Sequence, residues 1–219
     1  MNAVSTEIQK DSLSAQRKNL KILLVYPNTW DVAIANLGFQ RVHSLLNQID
    51  NVQCDLLSLP NNWKSDTQKL QDNDLRSRDM NLVPQDFDMI AFSISFEPDY
   101  LNAVLQLKYF NIPLERNKRN NSHPLIIAGG SAIFINPEPM AQIADAFFIG
   151  EAEGLAERFF DLFSKSDYDD PRELLREAAK IKGIYIPHLY GELYEKGVPQ
   201  EPMSALAPQF PLVERYWVE

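Results

Sequence analysis

PLIIAGGSAIFINPEPMAQIADAFFIGEAEG, from Pro124 to Gly154, carries only four charges, all acidic: Glu138, Asp145, Glu151 and Glu153. An apolar strand, a Gly-Gly break, a Pro-bounded loop, a second apolar strand and a Gly-acid helix start follow one another directly. That succession describes a parallel α/β sheet with two candidate functional loops on one edge. Strand ends meeting helix starts are where such sheets bind ligands.

The same grammar extends toward the N-terminus. LKILLVYP, from Leu20 to Pro27, is an apolar run ended by proline, as a buried parallel strand should be. Phe39, Val42, Leu45, Leu46 and Ile49 then mark one face of a helix. VQCDLLSL (Val52 to Leu59) reads as the second strand, stopped by Pro60, and FDMIAFSIS (Phe87 to Ser95) as the third. Between them, Asn61 to Pro84 is polar and poor in periodicity, which suggests an irregular crossover with at most a short helix around Leu70. Pro98 suits the first turn of the next helix, because its missing N–H is unneeded there. That helix should bury Leu101, Val104, Leu105 and Leu107 and stop before Pro113. PLIIAGG is the fourth strand and Asp145 to Gly150 the fifth, followed by a helix with an aromatic face at Phe159, Phe160 and Phe163. A further helix, Pro171 to Ile181, precedes GIYIP.

Alternating strands and helices imply right-handed crossovers and a sheet covered on both faces. The expected fold is α/β, a flavodoxin-like or Rossmann-like doubly wound parallel sheet of about five strands over residues 20–187. Residues 1–19 read as a disordered tail, and 188–219, rich in proline and aromatics, as a linker or extension that packs on something else.

The chain has 219 residues, a formal net charge of -9 and one cysteine, Cys54. It is long enough to close a hydrophobic core without disulfide or metal staples. A single thiol rules out an iron-sulfur site within the chain, since such clusters are held by several thiolates. The acidic balance opposes a phosphate backbone, so nucleic acid is not an expected partner. Arg116, Lys118 and Arg119 form the one dense basic cluster and read as a solvated loop. No apolar run is long enough to span a bilayer, and the polar start lacks the apolar core of a secretory signal. A cytoplasmic protein with no membrane partner is expected.

Candidate site residues gather at the strand ends. After Tyr26-Pro27-Asn28, the turn Asn36-Leu37-Gly38 either faces a ligand, with Gly38 admitting close backbone approach, or merely caps a helix through Asn36. Ser93, Ser95 and Glu97 alternate with apolar residues, so one strand face offers hydroxyls and a carboxylate in a row; the alternative is packing and helix-end electrostatics. Gly129-Gly130-Ser131 leaves backbone N–H groups free to meet a flat or anionic ligand. Gly150 and Glu151 begin a similar break, with Glu151 and Glu153 at a helix start, which weakens the case for phosphate and leaves capping or acceptance of ligand hydrogen bonds. His43, His123 and His188 show no metal-ligand spacing. Neither a G-x-G-x-x-G nor a G-x-S-x-G occurs, so dinucleotide and common hydrolase chemistry lack support. The Asn120-Asn121-Ser122 sequon has no meaning in a cytoplasmic chain.

YPNTWDVAIANLGFQ (Tyr26 to Gln40), FDMIAFSISFEPDYLNAVL (Phe87 to Leu105) and the AGG, NPEP and IGEAEG segments together resemble the N-terminal cobalamin-binding domain of radical S-adenosylmethionine proteins. GIYIP and the closing VERYWVE resemble the family's approach to its catalytic barrel. The resemblance implies a cobalamin-binding-like module whose corrin rests on the edge formed by Asn28, Gly38, Ser95, Glu97, Gly129, Gly130 and Glu151. It also implies a partner, a radical S-adenosylmethionine barrel in cis or trans. The [4Fe-4S] cluster and S-adenosylmethionine would belong to a longer parent protein, so this chain alone should be catalytically silent. The chain departs from mutase-type cobalamin domains in lacking D-x-H-x-x-G, and its GEAEG is less glycine-rich than the family's usual form. A cofactor-free interaction or scaffold domain with the same fold is the alternative. A flavin or nucleotide domain is disfavoured by Glu151 and Glu153.

Overall fold

The computed structural model describes residues 19–64, 69–190, 194–195, 198–199 and Tyr216. Its centre is a six-stranded sheet in the order β2-β1-β3-β4-β5-β6. The strands are β1 (Leu20–Thr29), β2 (Val52–Leu59), β3 (Met89–Ser93), β4 (Leu125–Gly129), β5 (Ala146–Phe148) and β6 (Ile184–Tyr185). The first five run parallel, and Leu24 lies between Leu56 on β2 and Ala91 on β3. Leu20, Ile22, Leu23, Val25 and Tyr26 are all buried. That is why β1 reads as a continuous apolar run rather than an alternating one: helices cover both faces of the sheet.

Several features depart from the sequence reading. The sheet has a sixth strand, antiparallel to β5 and formed by the Ile-Tyr of GIYIP, where Tyr185 stacks on Phe147 with ring centroids 5.6 Å apart. Two residues are too few to show a period. A short helix, α1 (Trp30–Ala35), stands directly before α2 (Leu37–Leu46), where a loop was expected. In α3 (Asp99–Tyr109) the buried positions are Asp99, Ala103, Gln106 and Leu107, while Leu101 is 73% exposed. The helix is rotated so that two polar residues face inward in place of Leu101.

The crossover from Asn61 to Pro84 is irregular, with 3-10 turns at Asp72–Leu75 and Pro84–Asp86 and a buried Leu70. Its anchor is Asp55 on β2, which accepts hydrogen bonds from the N–H groups of Leu56 (2.7 Å), Asp79 (3.1 Å) and Met80 (2.7 Å). Burial works against the Asp55 charge but is outweighed by hydrogen bonds from Ser77, Met80, Leu56 and Asp79, which hold the carboxyl below its usual value.

The basic cluster is not a solvated loop throughout. Arg119 is buried against Asp145 (3.1 Å), both side chains fully out of solvent, and it also donates to the carbonyls of Pro113 (3.0 Å), Leu114 (3.1 Å) and Ile143. Asp145 in turn accepts from the Ile126 N–H at 2.8 Å. The pair therefore ties the entry of β4 to the entry of β5. Helices α4 (Ser131–Ile135), α5 (Leu155–Lys165) and α6 (Leu175–Ala178) complete the α-helices among the described residues, and the helix expected from Pro171 to Ile181 is a 3-10 turn, Pro171–Leu174, followed by the shorter α6. On α5, Phe159, Phe160 and Phe163 are buried, as the aromatic spacing predicts. The proposed tail at 1–19, apart from Asn19, and most of the 188–219 extension lie outside the described residues. Within that extension, Tyr216 bridges Gly150 in parallel register.

Candidate functional site

Strand order reverses between β1 and β3, so their carboxyl ends open a crevice at the edge where doubly wound sheets hold ligands. Beside it, α2 and α5 stand apart over one face of the sheet and enclose a cavity of about 360 Å³. The size is that of a small-molecule site. Its floor is apolar: Leu24, Ala91, Ile127 and Ala128 from the sheet, and Val42 and Phe160 from the helices. Small residues on β3 and β4 keep that floor low, which leaves the space that larger side chains would fill.

The upper wall is polar and braced. Asn36 caps α2 and also braces the loop after β3. Its Oδ1 accepts from the Phe39 N–H at 2.9 Å, capping α2, while its Nδ2 donates to the Tyr26 hydroxyl (3.2 Å) and to Ser95 Oγ (3.1 Å). Ser131 Oγ donates to the Ser95 carbonyl at 2.9 Å. One chain of hydrogen bonds thus joins the loops after β1, β3 and β4. Gly130 makes the β3–β4 approach feasible: its φ is +109°, and a Cβ there would fall 2.5 Å from the Ile94 carbonyl oxygen. Only glycine fits both constraints.

Asn36, Gly38, Ser93, Ser95, Gly129, Gly130, Ser131 and Gly150, all named from the sequence, line this cavity. Asn28, Glu97 and Glu151 do not. The row of Ser93, Ser95 and Glu97 breaks because β3 ends at Ser93, and Glu97 stands exposed in the following turn. Glu151 is exposed, and its N–H donates to the Tyr216 carbonyl at 3.0 Å. Nor do the two acids cap α5, which begins at Leu155. Glu153 instead reaches across the cavity mouth to Arg41 on α2, Oε1 to Nε 3.1 Å. Arg41 was not legible as a site residue, since a lone arginine on a helix has no motif.

Asn28 sits at the reversal of strand order. The pairing of β1 with β2 skips register between Tyr26 and Thr29, at Pro27 and Asn28. Pro27 has no N–H to give the ladder, and such bulges re-aim side chains. Asn28 Nδ2 donates to Asp99 Oδ1 at 2.8 Å, while the buried Asp99 Oδ2 lacks a hydrogen bond of good geometry. Burial raises the Asp99 carboxyl above its usual value, against opposing bonds from Asn28, the Phe96 N–H and Asn102.

Residues 38–187 match a protein family described as radical SAM proteins, N-terminal. The chain belongs to that family. Over 101 residues, 46% of the chain, it is 29% identical to an uncharacterised protein of Methanocaldococcus jannaschii, and the match spans 21% of that protein. The chain thus covers about a fifth of the length of this curated relative. No solved structure matches it.

Two implied groups meet different fates against these residues. An iron-sulfur cluster does not fit this radical SAM N-terminal domain: Cys54 is its one thiol, and burial, with Asp55 beside it, pushes that thiol well above its usual value. A corrinoid fits better, with a crevice at the strand ends, an adjoining apolar slot, and amide and hydroxyl groups between the two. His43 is held against the Cys54 carbonyl at 3.2 Å and His123 against Asn120 at 2.9 Å, so neither stands under that edge. Among the described residues, no cluster of metal-ligating side chains occurs and no helix is long and apolar enough to cross a membrane.

Proposed function

We propose that this chain is the cobalamin-binding module of a radical SAM protein and does no chemistry without a cluster-bearing barrel in cis or trans. The observation that carries the reading is the slot between α2 and α5, which opens from the strand-end edge onto an apolar floor. A corrin ring is too broad for that slot. Its nucleotide tail, ending in a flat aromatic base, matches the slot's size and apolar lining. The ring would rest on the edge near Asn28, Gly38, Ser95, Gly129 and Gly130, with Glu97 and Glu151 at its outer rim. Asn36 and Ser95 would meet polar groups of the tail or ring, and the floor residues would exclude water from the base. When bound, cobalamin supplies radical or group-transfer chemistry that side chains cannot.

The test is retention. The purified chain, mixed with hydroxocobalamin and freed of unbound cofactor by gel filtration, should keep a stoichiometric corrin absorbance with the tail base off cobalt. A colourless protein peak would overturn the reading. It would leave a cofactor-free scaffold domain, which the exposed Leu37, Phe96, Leu101 and Ile135 after β1, β3 and β4 would favour, because such an apolar rim also suits a protein partner.

A further inference from the structure

The cavity mouth is crossed by a single ion pair. Arg41, one turn into α2, and Glu153, just before α5, both line the cavity, and Arg41 is the one cation among its described lining residues. The pair is exposed, with side chains 57% and 39% accessible, so exchanging one partner for another costs little. A structural role alone explains it poorly, since α2 and α5 already stand on the sheet through Phe39, Leu45 and Leu46 on one side and Phe159 and Phe163 on the other.

The surroundings narrow the ligand group that Arg41 would take. Below it the cavity is apolar, and the chain as a whole carries a formal charge of -9, which repels anions. A ligand with a flat apolar end and a single negative group set back from that end would place the base on the floor and the charge at the mouth. We infer that Arg41 is the specificity-determining residue of this site: it exchanges Glu153 for the phosphodiester of the nucleotide tail, so that the module selects corrinoids carrying a complete tail. Glu153 then acts as a competitor that holds Arg41 in place when the slot is empty and turns to solvent when the phosphodiester arrives. A guanidinium suits this task because its planar donors can pair a phosphate as they pair a carboxylate.

The inference rests on the cobalamin reading, and the experiment separates the two. Retention and affinity are measured for cobalamin and for cobinamide, which has the same corrin but no nucleotide. The full chain is compared with Arg41→Gln, Arg41→Lys and Glu153→Gln, and far-ultraviolet circular dichroism verifies the fold of each. The unaltered chain should bind cobalamin more than tenfold more tightly than cobinamide, because burial of the base adds to the roughly tenfold gain of a charge-assisted hydrogen bond. Arg41→Gln should cut that preference about tenfold, leaving the part due to the buried base, without changing cobinamide binding, and Arg41→Lys should restore part of the loss. Glu153→Gln should tighten cobalamin about threefold by removing the competitor, again without effect on cobinamide. Equal weakening of both corrinoids by Arg41→Gln, or a preference that it leaves undiminished, overturns the role of Arg41 and leaves the cobalamin reading standing. Indifference of the unaltered chain to the tail overturns both the role of Arg41 and the place of the tail in the slot. Failure to retain either corrinoid overturns the inference and the cobalamin reading together.

Discussion

Two adjacent glycines should respond very differently to the same substitution. At Gly130 an added Cβ meets three atoms of the Ile94 backbone, at 2.5, 2.9 and 2.9 Å, and the φ of +109° is one that side-chain-bearing residues rarely adopt. The conformational strain is about 1–3 kcal/mol and the overpacking a similar amount. A total near 3 kcal/mol is expected for Gly130→Ala, a shift of about 1.5 M in urea midpoint at a slope of about 2 kcal/mol/M. The relief route is also defined. Ile94 must move away, which breaks the bond from the Ala132 N–H to its carbonyl (3.1 Å) and pulls Ser95 from Asn36 (3.1 Å). Cobalamin retention should fall with it. At Gly129 the same methyl first meets Phe148 Cβ at 3.4 Å, ordinary contact, so Gly129→Ala should change stability by less than about 1 kcal/mol in either sense. Urea unfolding followed by circular dichroism measures both. Midpoints of the two variants within about 0.3 M of each other would refute the claim that backbone approach of β3 and β4 at Gly130 builds the site.

Other perturbations probe the scaffold. Arg119→Met leaves a fully buried Asp145 with Arg172 Nε at 3.9 Å and the more distant charge of Arg116, and should cost about 3–5 kcal/mol by urea unfolding; a cost below about 1 kcal/mol would mean that the pair is dispensable. The folded carboxyl of Asp99 is raised above its unfolded value, so the native state holds its proton more tightly and stability falls as pH climbs through the folded pKa. Asp99→Asn should therefore gain on the parent chain above that pH and flatten the curve just above the ordinary carboxylate range, as thermal melts across pH would show. Gly150→Ala places a Cβ 2.1 Å from the Tyr216 carbonyl oxygen and should release the Glu151 N–H bonded there, read as faster amide hydrogen exchange at Glu151 with the core amides unchanged.

Composition and periodicity alone determined the layered α/β plan, because continuous apolar runs such as Leu20 to Tyr26 can be buried only with helices on both faces, and because prolines and glycines mark where strands stop. They also located the strand-end edge of the slot: Asn36, Ser95, Gly129 and Gly130 lie at or after strand ends in sequence, and strand ends of parallel sheets share one edge by topology. Tertiary structure decided what depends on contacts between distant residues. Arg119 looked solvated until Asp145, 26 positions on, gave it a buried partner. Leu101 looked buried until the docking of α3 turned Asp99 and Gln106 inward. Arg41 and Glu153 meet across 112 positions, and Tyr216 returns to Gly150. Local periodicity reports which face of an element is apolar. Which element that face or a given charge will meet is set by three-dimensional packing, and no local spacing encodes it.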